Sequence, residues 1–312
     1  INVYKEQGFT SHDVVAKLRG IVGQKKIGHT GTLDPDAVGV LPVCLGRATK
    51  LCDMLTDKDK VYEAVMLLGV ETDTQDTTGQ ILKSSETDEL TEEQVRAAVL
   101  DFVGDYNQVP PMYSALKING KKLYELAREG KTVERKSRKV QIHGIRILEM
   151  NLPHVRMEVD CSKGTYIRTL CNDVGEVLGV GGCMESLLRT KVSRFELKDS
   201  MKLADIEKAK NEGRTEEIIL PLDEVFVEYP KIIVTGRQAQ LAYNGNPFPK
   251  ESAKNLILPG KDGGEDDLSD IFSRYKKYRV YDEQGRFIAI YSYQKQRQLF
   301  RIEKMFFDPD GK

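Results

Sequence analysis

No run of about 18 apolar residues occurs in the chain, and its longest hydrophobic stretches are broken by Gly, Pro or charge, so a membrane-spanning helix is not expected. Cysteine is scarce. The five residues, Cys44, Cys52, Cys161, Cys171 and Cys183, are odd in number and contain no CxxC pair. This pattern argues against a disulfide scaffold or a zinc knuckle, and the apolar neighbours point to buried thiols in a reducing compartment. Four histidines are spread along the chain without metal-ligand spacing, so no metal site is expected. The G-x-S-x-G elbow of many hydrolases is missing. So are G-x-x-x-x-G-K-[ST] and a strand-linked G-x-G-x-x-G, which weakens any nucleotide-hydrolysing reading. The first residues, INVYKEQGFTS, hold no apolar signal-peptide core, and a cytoplasmic location is the expectation.

What is present is ordinary in total and uneven in detail. The 312 residues are 40% hydrophobic and 30% charged, with a formal net charge of −1, suiting one large core plus a smaller module. Between Lys117 and Lys139, however, nine Lys/Arg stand against three Glu, while DGGEDDLSD at 262–270 is strongly acidic. Binding footprints are made by local charge, so the basic run is a candidate surface for an anionic partner as well as a plain solvated face. The acidic run is expected to face solvent.

Along the chain, TSHDVVAKLRGIV (10–22) predicts a helix, with Thr10 and Asp13 spaced as a cap and Val14, Leu18 and Ile21 on one face. QKKIGHTGTLDPDA reads as loop, and the spacing of Leu51, Met54 and Leu55 suggests a short helix. KVYEAVMLLGV (60–70) predicts a strand before a turn-rich TDTQDTTG. LTEEQVRAAVLDFVG predicts a second helix capped at Thr91. Strands are expected at VQIHGIRILEM and VRMEVDC, then a helix at YIRTLCNDVGEVLG. The mixture predicts an α+β fold with a mainly antiparallel or mixed sheet rather than repeated βαβ units. LPLDEVFVEYPKI supplies the candidate boundary, giving domains 1–224 and 225–312, the second small and β-rich.

GHTGTLDPDAVGVLP (28–42) holds the most suggestive chemistry. Pro35 restrains the residue before it, so Asp34 carries a carboxylate of fixed direction, while Asp36 is the natural turn-capping acid. In SKGTYIRTL (162–170), Tyr166 and Arg168 fall near a helix start. Arg168 can serve as a bidentate partner for a carboxylate or a phosphate, or lie on the surface. Tyr62, in a strand, is either a packing aromatic or a stacking platform for a planar base.

These stretches resemble the bacterial pseudouridine synthases of the TruB type, which modify uridine 55 in the T loop of tRNA. GHTGTLDPDAVGVLPVCLGRATK is similar to that family's central motif, and GFTSHDVVAKLR to its amino-terminal one. KVYEAVMLLGVETDTQDTTG, VPPMYSALKINGKKLYELAREG, CSKGTYIRTLCNDVG and LRTKVSRF extend the match over roughly residues 5 to 200. The tail resembles the family's PUA-like RNA-binding module more weakly. The resemblance implies the pseudouridine synthase fold, an RNA-binding insertion near 110–140, and isomerisation of uridine without cofactor or metal. It implies Asp34 as the catalytic aspartate, Arg168 as its partner, and Tyr166 in a later proton transfer. Tyr62 would stack on the uracil, His29 would fill the space of the flipped nucleotide, and Leu187 would wall the pocket. Lys5 would support the site, although here it is followed by Glu6 where the family often has proline. Lys121, Lys122 and Arg135 of the basic run are expected on tRNA phosphates. The implied partner is the tRNA T stem-loop, bound by a monomer without guide RNA or obligate protein partner. A non-catalytic RNA-binding protein would share the basic run but have no need of Asp34, Arg168 and two tyrosines together. A nucleotide-dependent RNA enzyme and a guide-RNA-dependent relative complete the competing functions.

Overall fold

The computed structural model describes residues 1–118, 120–260 and 268–307. The chain divides into two compact units, one of Ile1–Cys44 with Cys52–Gly213, the other of Leu45–Leu51 with Arg214–Lys312.

The first unit is built on a mixed sheet. Its strands run in the order Asn2–Lys5, Val38–Leu45, Gly182–Val192, Lys60–Leu68, His154–Cys161, Arg138–Asn151 and Gly104–Gln108. Short strands Ile27–His29 and Phe195–Glu196 attach beside it. Every pairing along this path is antiparallel except that between Val38–Leu45 and Gly182–Val192. At that parallel junction Gly39 sits at φ 108°, and a Cβ there would lie 2.3 Å from the Arg189 carbonyl oxygen, so only glycine fits.

Strand Lys60–Leu68 buries alternate residues, with Tyr62, Ala64, Met66 and Leu68 turned into the core. Helix Ile167–Val177 lays Ile167, Leu170, Cys171 and Val174 against the same core, joined by Val95, Ala98 and Val99 of helix Glu92–Leu100. The predicted caps form: Thr10 with Asp13 and Thr91 with Gln94 each make a reciprocal capping box. Strand Val38–Leu45 stands in a segment without a strand signature in its sequence, and His29 lies in a three-residue strand instead of a loop. The five thiols are free, four of them buried and Cys52 half-buried.

The second unit carries a six-stranded sheet in the order Phe248–Pro249, Leu299–Met305, Phe287–Gln294, Lys277–Tyr281, Lys231–Ile233, Leu256–Ile257. Its core is aromatic: Phe300 packs on Phe248 at 5.2 Å and Tyr278 at 5.1 Å between ring centroids. The two units divide at 213/214. Residues 223–229 belong with this sheet because Arg279 donates to the carbonyls of Tyr229 (3.0 Å) and Asp223 (3.4 Å), and the Tyr281 hydroxyl reaches the Asp223 carboxylate at 2.9 Å. Of the acidic 262–270 run, residues 262–267 lie outside the described residues; 268–270 open helix Leu268–Arg274.

Among the described residues, no helix is long and apolar enough to cross a membrane.

Candidate active site

Asp34 is held by pinning the residues on either side of it. Ser11, fully buried at the first turn of helix Ser11–Val22, accepts the Leu33 N–H at 2.9 Å and donates its hydroxyl to the Leu33 carbonyl at 3.3 Å. On the other side, the Pro35 carbonyl takes the Gly8 N–H at 3.0 Å and the Lys5 ammonium at 2.9 Å. Lys5 also donates to the carbonyls of Ala37 (2.6 Å) and Glu6 (3.1 Å), and its side chain is sealed from solvent. Burial brings the Lys5 ammonium down to about 8 against the pull of Asp36 and Asp34. A lysine that spends its donors on three carbonyls acts on the loop, with no donor directed at a ligand. Asp36 is exposed, and no hydrogen bond to its carboxylate occurs among the described residues.

Arg168 meets Asp34 with two nitrogens, Nε at 3.1 Å from Oδ2 and Nη2 at 3.3 Å from Oδ1. The arginine side chain is 6% exposed and the aspartate 41%, so the pair has a buried and an open end. The remaining donors are used as well: Nη1 reaches the Thr74 carbonyl at 3.0 Å and Asp76 Oδ2 at 3.3 Å, and Nη2 the Tyr113 carbonyl at 2.8 Å. Asp76 is itself fixed by Thr74 Oγ1 (2.7 Å), Thr78 Oγ1 (2.6 Å) and the Thr78 N–H (3.0 Å), all on Oδ1. One guanidinium thus serves two carboxylates. Loss of solvation raises Asp34 above the ordinary carboxylate range; Arg168 opposes the rise and Asp76 adds to it.

Tyr62, Tyr166 and Leu187 lie beside the loop or the charge of this pair. Tyr62 lies in the core cluster with Leu33, Ala37 and Leu187, and both Tyr62 and Leu187 are 8% exposed. Burial pushes up the hydroxyls of Tyr62 and Tyr166, with Asp34 a further cause at each, so both phenols are neutral. His29 accepts the Gly31 N–H on Nδ1 at 3.4 Å and packs edge-on against His12, ring centroids 5.4 Å apart. Burial, with the charges of His12 and Arg189, lowers His29, favouring the neutral imidazole. Lys121, Lys122 and Arg135 make no hydrogen bond or ion pair with Asp34 or Arg168 among the described residues. Lys121 is exposed and 3.6 Å from Glu129, Lys122 reaches the Tyr124 hydroxyl at 3.0 Å, and half-buried Arg135 donates to the Pro110 carbonyl at 3.1 Å. Among the described residues, no three His, Cys, Asp or Glu side chains gather as a metal-ligand set.

Four residues of the site have no signal in the sequence. Asp76 resembles a turn acid, and its Oδ1 is one; only the fold reveals that Oδ2 is directed at Arg168. Ser11 resembles helix surface. Arg189, 1% exposed, donates to the carbonyls of Val40 (2.8 Å) and Gly31 (3.3 Å), tying both arms of the Asp34 loop together. Gln108, 1% exposed, brackets the backbone of Tyr166. Buried polar residues with backbone partners carry no local pattern that would betray them.

The chain matches two family models: the N-terminal domain of TruB family pseudouridylate synthase over residues 19–167, and the tRNA pseudouridylate synthase B C-terminal domain over 168–227. A protein of Lachnoclostridium phytofermentans named tRNA pseudouridine synthase B is 50% identical to it, with 98% of each chain covered. The protein of that name from Clostridium tetani is 43% identical over 98% of each chain. Among solved structures, one from a Cbf5–Nop10–Gar1 complex is similar with a TM-score of 0.72 and 26% identity, covering 99% of this chain and 85% of that one. A chain in an H/ACA RNP bound to a substrate RNA containing 2'-deoxyuridine has the same fold, with a TM-score of 0.70. With the carboxylate–guanidinium pair, its flanking tyrosines and these matches in agreement, the chain belongs to the TruB family of pseudouridylate synthases.

Proposed function

We propose that the protein converts uridine 55 of the tRNA T loop to pseudouridine, with Asp34 as the catalytic carboxylate. The observation that carries this reading is the Arg168–Asp34 pair, buried at the arginine and open at the aspartate. An open carboxylate with a fixed direction can meet a nucleotide, and the guanidinium keeps it ionised against the cost of desolvation. The reaction is an isomerisation. The N1–C1′ bond breaks, the base turns, C5 bonds to C1′, the C5 proton leaves and N1 gains one. Nothing is oxidised or added, so the chemistry requires neither cofactor nor metal.

The target base must leave its stack, at a cost of a few kcal/mol that is smaller in a distorted loop. Stacking on Tyr62 returns about 1–3 kcal/mol. Neutral His29 fills the gap that the base leaves, Leu187 closes the apolar wall, and Tyr166 carries a proton in the later step. Lys121, Lys122 and Arg135 bind tRNA phosphates, and the β-rich second unit serves as a PUA-like RNA-binding module. Asp34, Arg168, Tyr62 and Tyr166 all belong to one unit of one chain, so the site is complete without a second subunit, and the protein acts on tRNA as a cytoplasmic monomer without guide RNA or protein partner.

The test is to incubate the protein with a T stem-loop RNA in a buffer free of added cofactor and to assay pseudouridine. Product is expected at position 55, and Asp34→Asn should reduce its rate by at least about a thousandfold. Full activity in that variant would overturn the assignment.

A further inference from the structure

Gln108 ends the strand Gly104–Gln108, just before Val109, Pro110 and Pro111 lead into the basic insertion. Its amide makes two bonds to one residue: Nε2 donates to the Tyr166 carbonyl at 2.9 Å, and Oε1 accepts the Tyr166 N–H at 2.8 Å. Tyr166 is the N-cap of helix Ile167–Val177, in an extended conformation with no capping bond from its own side chain. Gln108 therefore fixes the backbone of the residue that starts the helix from outside it, while no side chain of the N-cap itself caps the first turn.

The same stretch of chain reaches Arg168. The Tyr113 carbonyl takes Nη2 at 2.8 Å, the nitrogen that also reaches Asp34 Oδ1 at 3.3 Å. The insertion in turn is fastened to this stretch at three points. Arg135 Nη1 donates to the Pro110 carbonyl at 3.1 Å, the Tyr124 N–H to the Ser114 carbonyl at 3.1 Å, and the Leu123 N–H to the Leu116 carbonyl at 2.8 Å. A continuous hydrogen-bonded path thus runs from the basic insertion through residues 108–116 to Tyr166, Arg168 and Asp34.

We propose that Gln108 is a positioning residue that sets Tyr166 and Arg168 against Asp34 and ties them to the RNA-facing insertion. The proposal rests on the functional reading above. The longer Asp34 contact of the shared Nη2 is the first to be lost if the helix start moves, because it begins near the limit of hydrogen-bond length. Misplacement by about 1 Å in such a constellation can cost about a hundredfold in rate.

The experiment uses the full chain with Gln108→Leu and Gln108→Glu, measuring kcat and KM on the T stem-loop, thermal unfolding, and the titration of Asp34 by carboxyl carbon NMR. Gln108→Leu is expected to lower kcat about 10- to 100-fold with KM held within about threefold, since the bonds lost are to the Tyr166 backbone and the basic side chains keep theirs. Asp34 should titrate at higher pH in the variant as Arg168 withdraws. Gln108→Glu keeps the volume and the acceptor for the Tyr166 N–H but loses the donor, and it carries the test if the leucine variant does not fold. A kcat within about twofold of the parent in a folded variant, or an unmoved Asp34 titration, overturns the proposal. If the parent itself forms no pseudouridine, the functional reading fails, while the NMR titration still judges the positioning role.

Discussion

Asp34 is a side chain whose burial works against the fold and suits the proposed reaction. Its carboxyl is raised above its ordinary value, chiefly by desolvation and against the pull of Arg168, so folding disfavours the ionised form that the proposed reaction uses. Between the usual carboxylate pKa and the raised one, the folded state binds more protons than the unfolded state, and stability falls as pH rises through that window. Asp34→Asn, which mimics the neutral acid, is therefore expected to be at least as stable as the parent at pH 7. The two should converge below about pH 4, where both states of the parent are protonated. Melting temperatures against pH give the comparison, and a variant clearly less stable at neutral pH would contradict it. At this scale the sequence is informative where backbone chemistry is local: Pro35 after Asp34 signals a fixed carboxylate. It is silent about Asp76, whose second oxygen finds Arg168 only through the fold.

Among the elements, helix Ser11–Val22 is legible because its cap and apolar face are both local, and strand Lys60–Leu68 because it buries every second residue. Two central strands are not. Val38–Leu45 is buried over six consecutive positions, which removes the alternation that marks a strand. Gly182–Val192 breaks register against Lys60–Leu68 between Met184 and Ser186 and again between Arg189 and Lys191, so its period of two is interrupted twice. These elements act on the site through backbone, which makes Ser11 informative. Ser11→Ala leaves the buried Leu33 N–H without its partner and should destabilise the protein by about 1–3 kcal/mol in urea unfolding. It should also lower kcat, because Leu33 adjoins Asp34. An unchanged kcat would detach helix Ser11–Val22 from the site.

For the molecule as a whole, net charge says nothing about nucleic acid, and the distribution of charge says more. The 117–139 run forms a hairpin of Lys117–Ile118 with Lys121–Lys122, then helix Leu123–Arg128. Lys117, Lys136 and Arg138 have no ion-pair partner among the described residues. If this face holds tRNA phosphates, the dependence of binding on salt should be steep. Neutralising Lys121 or Lys122 should then reduce the slope of log K against log salt by about 1 each, one phosphate contact apiece. Filter binding across a salt series measures it, and an unchanged slope removes these residues from the interface. Arg135 is expected to affect both slope and kcat, since its guanidinium also grips the Pro110 carbonyl.

Local chemistry in the sequence determined the capped helices, the alternating strand, the basic run and the restrained carboxylate of Asp34, because caps, periodicity and proline restraint act over a few residues; its pairing with Arg168 was implied only by the family resemblance. Tertiary structure alone decided which strands lie side by side, that Leu45–Leu51 joins the second unit, and which buried polar groups serve the site. Asp34 and Arg168 are 134 positions apart. Their meeting, and the roles of Ser11, Asp76, Gln108 and Arg189 around them, depend on long-range packing that brings distant backbone and side chains within hydrogen-bond reach, and no local pattern encodes that.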